Sequence, residues 1–164
     1  TETTGLDPGV EYLTEIGAVI VRNGEVVEEF DTFVKPGKAI TSKITELTGI
    51  TNEMVADAPS EAEALRAFLD FVDGRILVAH NAHSFDIRFL RAAAKRSGIE
   101  FEPTYIDTLT MAQAMYPGLH NYKQGTINKH LELPAYEAHR ACEDAGALGR
   151  IFCVMHKDLS HKTN

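Results

Sequence analysis

The 164-residue chain sets 16 Lys and Arg against 24 Asp and Glu, a formal charge of −8. That balance excludes a protein that grips nucleic acid through a broad basic face, so any such contact must be local. Its 44% hydrophobic content supports a core for one domain over residues 1–164, and with no apolar run long enough to span a bilayer and no charged-then-apolar leader in view, neither a membrane span nor a secretory signal is expected. A cytoplasmic protein is expected. Cys142 and Cys153 lie roughly 16 Å apart along one proposed helix, too far for a disulfide, and read as core thiols of a reducing compartment.

The chain starts on a polar turn, Thr1 to Gly9, with no strand ahead of it. Residues 13–21 and 25–34 are β-rich runs flanking Arg22-Asn23-Gly24, and Asn-Gly is the strongest short hairpin signal, so the two strands pair antiparallel. Pro36-Gly37 ends the second. Two short helices follow, residues 42–47 closed by Gly49 and residues 52–55 opened by Thr51. Ser60 and Glu63 form a capping box ahead of Leu65, Phe68, Leu69 and Val72, the spacing of an amphipathic helix that Gly74 stops.

Residues 75–80 are a nearly continuous apolar run, the pattern of a strand buried on both faces. The run leads through Asn81-Ala82-His83-Ser84-Phe85-Asp86 into a helix that Gly98 ends. Ligands of open α/β sheets gather at the carboxyl ends of parallel strands, which puts Asp86 in a functional place. Tyr105-Ile106 is a brief strand, Asp107 or Thr108 caps a helix to Tyr116, residues 126–131 form another helix, and a long final helix runs to about His156.

The polar opening of that last helix carries His139 and Asp144. Five residues along a helix is about 140° around the wheel, so the two side chains converge only if His139 sits on the entry turn. Glu2, Asp86 and Asp144 come from three distant parts of the chain, each at a loop or an element end. Three ionised carboxylates brought together need cations between them, and oxygen-only ligands favour Mg²⁺ or Mn²⁺ over zinc. Two such ions about 3.5–4 Å apart activate a water and stabilise the leaving oxygen of a phosphodiester, while an imidazole takes the water's proton. His139 suits that role. His80 reads as a hydrogen-bonded core histidine, His83 and Glu143 as solvent-facing, Arg140 as a structural ion pair, and Tyr122 and Lys123 as a solvated loop.

Three segments carry a family resemblance. Thr1-Glu2-Thr3-Thr4-Gly5-Leu6 is similar to the tail of DxETTGL, His80-Asn81-Ala82 with Phe85-Asp86 and Phe89 to HNAxFDxxF, and His139-Arg140-Ala141 with Asp144-Ala145 to HRAxxDA. Together they resemble the exonuclease motifs of the DEDD superfamily, the DEDDh subclass with histidine as base. With Thr45 to Thr51 and Ile106-Asp107-Thr108-Leu109, the chain most resembles the proofreading exonuclease domains of PolC-type DNA polymerase III.

The resemblance implies an α/β fold, an RNase-H-like mixed β-sheet with helices on both faces. It implies Glu2 and Asp144 as ligands of the metal that holds the attacking water, Asp86 as a ligand of the second metal, and His139 as general base. Thr3, Thr4, Gly5 and Leu6 would cradle the terminal nucleotide, and Asn81 would contact the substrate strand. The implied reaction is 3′-to-5′ hydrolysis of DNA ends, single-stranded or mispaired, with two Mg²⁺ or Mn²⁺ ions. The acidic charge favours delivery of the substrate by a replicative polymerase, in cis or in trans. An RNA-trimming exonuclease and a non-catalytic domain that keeps the fold are the alternatives.

Two departures stand out. The family's first aspartate belongs immediately before Thr1 on a central strand, so the expectation is an N-terminally incomplete domain that lacks that first strand. Two residues, His83 and Ser84, stand where the family usually has one, and the turn must absorb the extra residue.

Overall fold

A computed structural model describes residues 1–162. The polar start forms β1 (Glu2–Thr3), which pairs antiparallel with β2 (Leu13–Arg22), and β2 pairs antiparallel with β3 (Glu25–Phe33). The Asn-Gly signal is realised: Asn23 and Gly24 take φ of 53° and 81°, the left-handed pair that matches the twist of a hairpin. Next come α1 (Ser42–Thr48), capped by Thr41 and closed by Gly49, and α2 (Asn52–Val55), whose cap Thr51 accepts from Met54 N.

Helix α3 (Glu61–Val72) starts where Ser60 accepts from Glu63 N at 3.2 Å. It ends one residue earlier than glycine alone signals, because Asp73 already takes a left-handed φ of 48° ahead of Gly74. Then β4 (Leu77–Ala79) leads into α4 (Asp86–Ser97), and β5 (Tyr105–Asp107) pairs parallel with β4 before α5 (Thr108–Met115). Helices α6 (Gln124–His130) and α7 (Ala141–Lys162) complete the described chain.

The sheet is mixed, as an RNase-H-like fold requires, and it stands in two pieces: β1-β2-β3 antiparallel and β4-β5 parallel. Period-two alternation along β2 sends the two faces to different helices. Ile16 and the half-buried Ala18 join the core with Leu65 and Phe68 of α3 and Ile87 and Leu90 of α4. Gly17 faces the other way, so close to α7 that a Cβ there would stand 2.3 Å from the Ala141 carbonyl carbon. Gly149 of α7 sits over Val19, Val21 and Val26 on the same face. A second core joins Ile151 and Met155 of α7 to Ala112 of α5 and Ile127 of α6.

Four expectations are corrected. The apolar run 75–80 yields a strand of only 3 residues, all half-buried, because β2 and β4 are not hydrogen-bonded to one another and a cavity of about 1070 Å³ lies between them. Ile76 is left 58% exposed. Cys142 and Cys153 are free, as expected, but half-buried rather than core, and burial raises both thiols above their ordinary pKa. The helix expected at 126–131 begins earlier, at Gln124, because Lys123 takes the extended cap position. Helix α7 continues past His156, because Met155 still packs into the second core and the polar turns beyond extend from it.

Candidate functional site

The carboxyl ends of β4 and β5 and the entry to α7 open onto one end of the cavity, where Thr1, Asp86, His139 and Asp144 all contribute to its wall. His139 lies on the entry turn with φ of 70°, a left-handed conformation that turns the chain into α7. Its backbone N–H donates to Asp144 Oδ2 at 3.2 Å, which ties the turn to the first turn of the helix and leaves the imidazole exposed. His139 does sit on the entry turn, and it is its backbone N–H that reaches Asp144.

Asp86 is the first residue of α4, where the helix dipole favours a carboxylate. Its Oδ1 accepts from the Thr1 amino group at 3.0 Å and from Thr1 Oγ1 at 2.8 Å. The extra residue at 83–84 is absorbed within the turn: Phe85 N donates to Asn81 O and Ile87 N to Ala82 O, each at 3.0 Å. Glu2 on β1 is half-buried, and burial pushes its carboxyl up to about 7, with Asp144, Glu15 and Asp86 adding negative charge against the relief given by the Thr1 amino group. Asp144 is raised too, first by burial, although the Thr1 amino group and His139 draw it down. Glu2, Asp86 and Asp144 therefore share one electrostatic neighbourhood around Thr1.

Oxygen donors with unrelieved negative charge suit a hard divalent cation. Among the described residues no three His, Cys, Asp or Glu side chains already stand as a coordinating group. The donor chemistry fits a metal, while Asp86 and Asp144 are turned to donors of the protein itself.

The segment that follows Glu2 is braced internally. Thr3 and Thr4 are buried, the Thr4 hydroxyl donates to Glu11, and Lys38 donates to Glu11 from the other side at 3.1 Å. At Gly5 a Cβ would stand 2.8 Å from the Glu11 side chain, which would have to shift from its bonds to Thr4 and Lys38. Leu6 is 86% exposed, an apolar side chain held out on a stiff loop. Asn81 takes φ of 61°, and its N–H donates to Asp107 Oδ1 at 3.0 Å.

His80 is hydrogen-bonded as the sequence suggests, but half-buried rather than core, and His83 faces solvent as expected. His80 Nε2 donates to Tyr122 O at 2.7 Å, which leaves Nδ1 of the neutral ring to accept from Thr108 Oγ1 at 2.9 Å. Burial lowers its pKa and keeps it neutral. His83 is exposed, with Nδ1 2.7 Å from the Tyr105 hydroxyl. Glu143 is exposed. Tyr122 corrects the expectation of a solvated loop: it packs against the second core and its hydroxyl donates to Tyr116 O.

Three residues absent from the sequence-level site belong to its frame. Glu15, with no exposure, accepts from Arg140 and from Ala141 N. Gln124 Nε2 donates to Asp144 O at 2.9 Å. Tyr136 stands beside Asp144, whose charge together with burial raises the phenol. A polar residue on a strand, a glutamine at a helix start and a loop tyrosine carry no sequence signal that marks them for a site.

The fold is that of RNase-H-like exonucleases, and a family model described as Exonuclease matches residues 1–152. The chain belongs to that exonuclease family. A curated relative is the PolC-type DNA polymerase III of Caldanaerobacter subterraneus subsp. tengcongensis, 45% identical over 158 residues, which cover 96% of this chain and 11% of that protein. The chain thus spans about a tenth of the length of the curated relatives it matches. Among solved structures, Exonuclease X in complex with 5′ overhanging duplex DNA superposes with a TM-score of 0.77 at 25% identity, covering 98% of this chain and 90% of that one. The nuclease domain of 3′hExo, a DEDDh family member bound to rAMP, has a TM-score of 0.77 at 19% identity over 91% of this chain and 82% of that one, and so speaks to the fold alone.

Proposed function

We propose that residues 1–164 act as a single metal-dependent 3′-to-5′ exonuclease domain that trims single-stranded or mispaired DNA ends, as the proofreading activity of a replicative DNA polymerase. The observation that carries this reading is the His139 turn: a left-handed residue at the mouth of α7 with an exposed side chain, tied through its own N–H to Asp144, whose charge together with that of Asp86 acts on Glu2. The exonuclease family match, the PolC-type relatives and a DNA-bound structural neighbour support it. A cytoplasmic location accords with bacterial polymerase relatives, and among the described residues no helix is long and apolar enough to cross a membrane.

Glu2, Asp86 and Asp144 would hold two divalent ions, Mg²⁺ or Mn²⁺, which when bound supply an activated water and offset charge on the leaving oxygen. Bound cations would offset the mutual repulsion of Glu2 and Asp144. His139 accepts the proton of the attacking water on an imidazole nitrogen that solvent and substrate both reach. Thr3, Thr4, Gly5 and Leu6 receive the terminal nucleotide on a braced loop, with Leu6 offering an apolar face to a base, and Asn81 meets the strand. The polymerase supplies the binding energy that a chain of net charge −8 cannot draw from phosphate contacts.

The test is digestion of a 5′-labelled single-stranded DNA by the full-length protein with Mn²⁺. Stepwise shortening from the 3′ end with release of nucleoside monophosphates supports the reading, and removal from the 5′ end or internal cleavage overturns it. Faster digestion of an all-RNA oligonucleotide would replace DNA by RNA as the substrate, since only the 2′-hydroxyl separates the two.

A further inference from the structure

Asp107 is the cap of α5, with Oδ1 accepting from Leu109 N at 2.9 Å, but most of its hydrogen bonding goes elsewhere. The same Oδ1 accepts from Asn81 N at 3.0 Å, and Oδ2 accepts from His83 N at 3.1 Å. One carboxylate thereby receives backbone N–H groups from α5 and from a loop 24 and 26 residues earlier in the chain. Hydrogen bonds to an ionised acceptor are roughly twice as strong as neutral ones, so this is a stiff brace rather than a turn closing on itself.

The loop closes on itself through Phe85 N and Ile87 N, and Asp107 ties that closed turn to β5 and α5. Asn81 is left-handed at φ 61°, a conformation that asparagine tolerates better than most residues with a Cβ. Phe85, the cap residue of α4, makes no side-chain cap bond and has an irregular backbone at φ −127° and ψ −82°. The start of α4, and with it Asp86, is therefore located by the turn between Asn81 and Phe85. The parallel register explains why Asp107 reaches that turn: it pairs with Ala79, two residues before Asn81. Its neighbour Thr108 completes the frame through His80 and Tyr122 O, in the loop that delivers Gln124 to Asp144 O.

We infer that Asp107 is a positioning residue for the hydrolysis, fixing Asn81 and Asp86 relative to the α7 entry by accepting the Asn81 and His83 amide hydrogens. The inference rests on the reading of Asp86 as a site carboxylate. In Asp107→Asn the amide oxygen keeps two of the N–H groups, but the NH₂ group faces the His83 N–H and releases one side of the loop. Asp107→Glu keeps the charge and misplaces it by a methylene.

The experiment is made on the full-length protein, with kcat and KM on single-stranded DNA in Mn²⁺ measured beside amide hydrogen exchange of residues 80–86. Both variants are expected to lose at least 10-fold in kcat with KM within about 3-fold, and to exchange the 81–85 amides at least 10-fold faster while α7 is unchanged. Retained kcat with accelerated exchange overturns the inference, because the brace is then structural only. Lost kcat with unchanged exchange, or wild-type kcat in Asp107→Glu, also overturns it. Asp86→Ala, assayed alongside, separates the two levels: wild-type activity there defeats the site reading itself, whatever Asp107 does.

Discussion

Arg140 Nη2 lies 3.4 Å from Oε1 of Glu15, a carboxylate with 0% exposure in the middle of the fold. The guanidinium also stacks 5.5 Å from the Phe33 ring, and the Ala141 N–H at the start of α7 points at the second oxygen of Glu15. One buried side chain on β2 thus anchors the residue next to His139 and the first amide of the helix that carries Asp144. Glu15→Gln keeps the shape and removes the charge that Arg140 needs. It is expected to cost about 1–3 kcal/mol and to lower the thermal midpoint by roughly 2–10 °C, with loss of exonuclease rate as the α7 entry loosens. Thermal melts beside a DNA digestion assay check this, and an unchanged midpoint would show that the pair contributes nothing.

Gly17 meets the same helix from the strand side. A methyl group there would sit 2.3 Å from both the Ala141 carbonyl carbon and the Cys142 nitrogen, and neither is the flexible end of a side chain. Gly17→Ala must push the start of α7 off β2, at about 1–3 kcal/mol or more. Activity should fall with it, because His139 and Asp144 ride on that start. Retention of both wild-type stability and wild-type rate would mean that α7 is not held where the close approach puts it.

Asp31 supplies a pH dependence. Burial, and then a hydrogen bond and repulsion from Glu15, raise its carboxyl from 3.8 to about 6. A carboxyl raised by folding binds its proton better in the folded chain, so its contribution favours folding below pH ~4 and is lost as pH rises through about 6. Asp31 is exposed, so solvent screening holds the effect to about 1 kcal/mol or less. Asp31→Asn should be slightly more stable than the parent at pH 8 and no more stable at pH 4, measured by urea melts at both. A variant less stable at pH 8 would reverse the sign.

Much of this was legible in the amino-acid order, and what was not has a common cause. Asn23-Gly24, Gly49, Thr51 and Gly98 specify their turns and caps through local backbone chemistry and form where the residues say, and Ser60 caps α3 while the Glu63 carboxylate accepts from the Ser60 hydroxyl. The His139 turn was legible because helix geometry left no other way for it to approach Asp144. Glu15 was not, since a glutamate between Thr14 and Ile16 reads as the solvent side of a strand. Its burial depends on Arg140, 125 residues away. Asp107 was legible as a cap and not as a brace, because its second role arises only when β5 lies parallel to β4. The length of β4 has the same kind of reason: an apolar run says that burial is favoured, while strand length depends on which neighbours the run pairs with, and among the described residues β4 pairs with β5.

His139 offers the cleanest separation of stability from chemistry. Its side chain is exposed, and its φ of 70° strains any residue that bears a Cβ, by about 1–2 kcal/mol for an ordinary one. His139→Gly therefore removes the imidazole while relieving the backbone, and the N–H that donates to Asp144 Oδ2 survives the substitution. Folding stability is expected to stay level or rise by up to about 1 kcal/mol, whereas kcat on single-stranded DNA should fall by about 10²–10⁴ with the loss of a general base. His139→Ala should show the same loss of rate without the gain in stability. Chemical melts and steady-state digestion on the same preparations decide it. A glycine variant that is at least as stable as the parent and fully active would remove His139 from the reaction, because no folding defect could then be blamed.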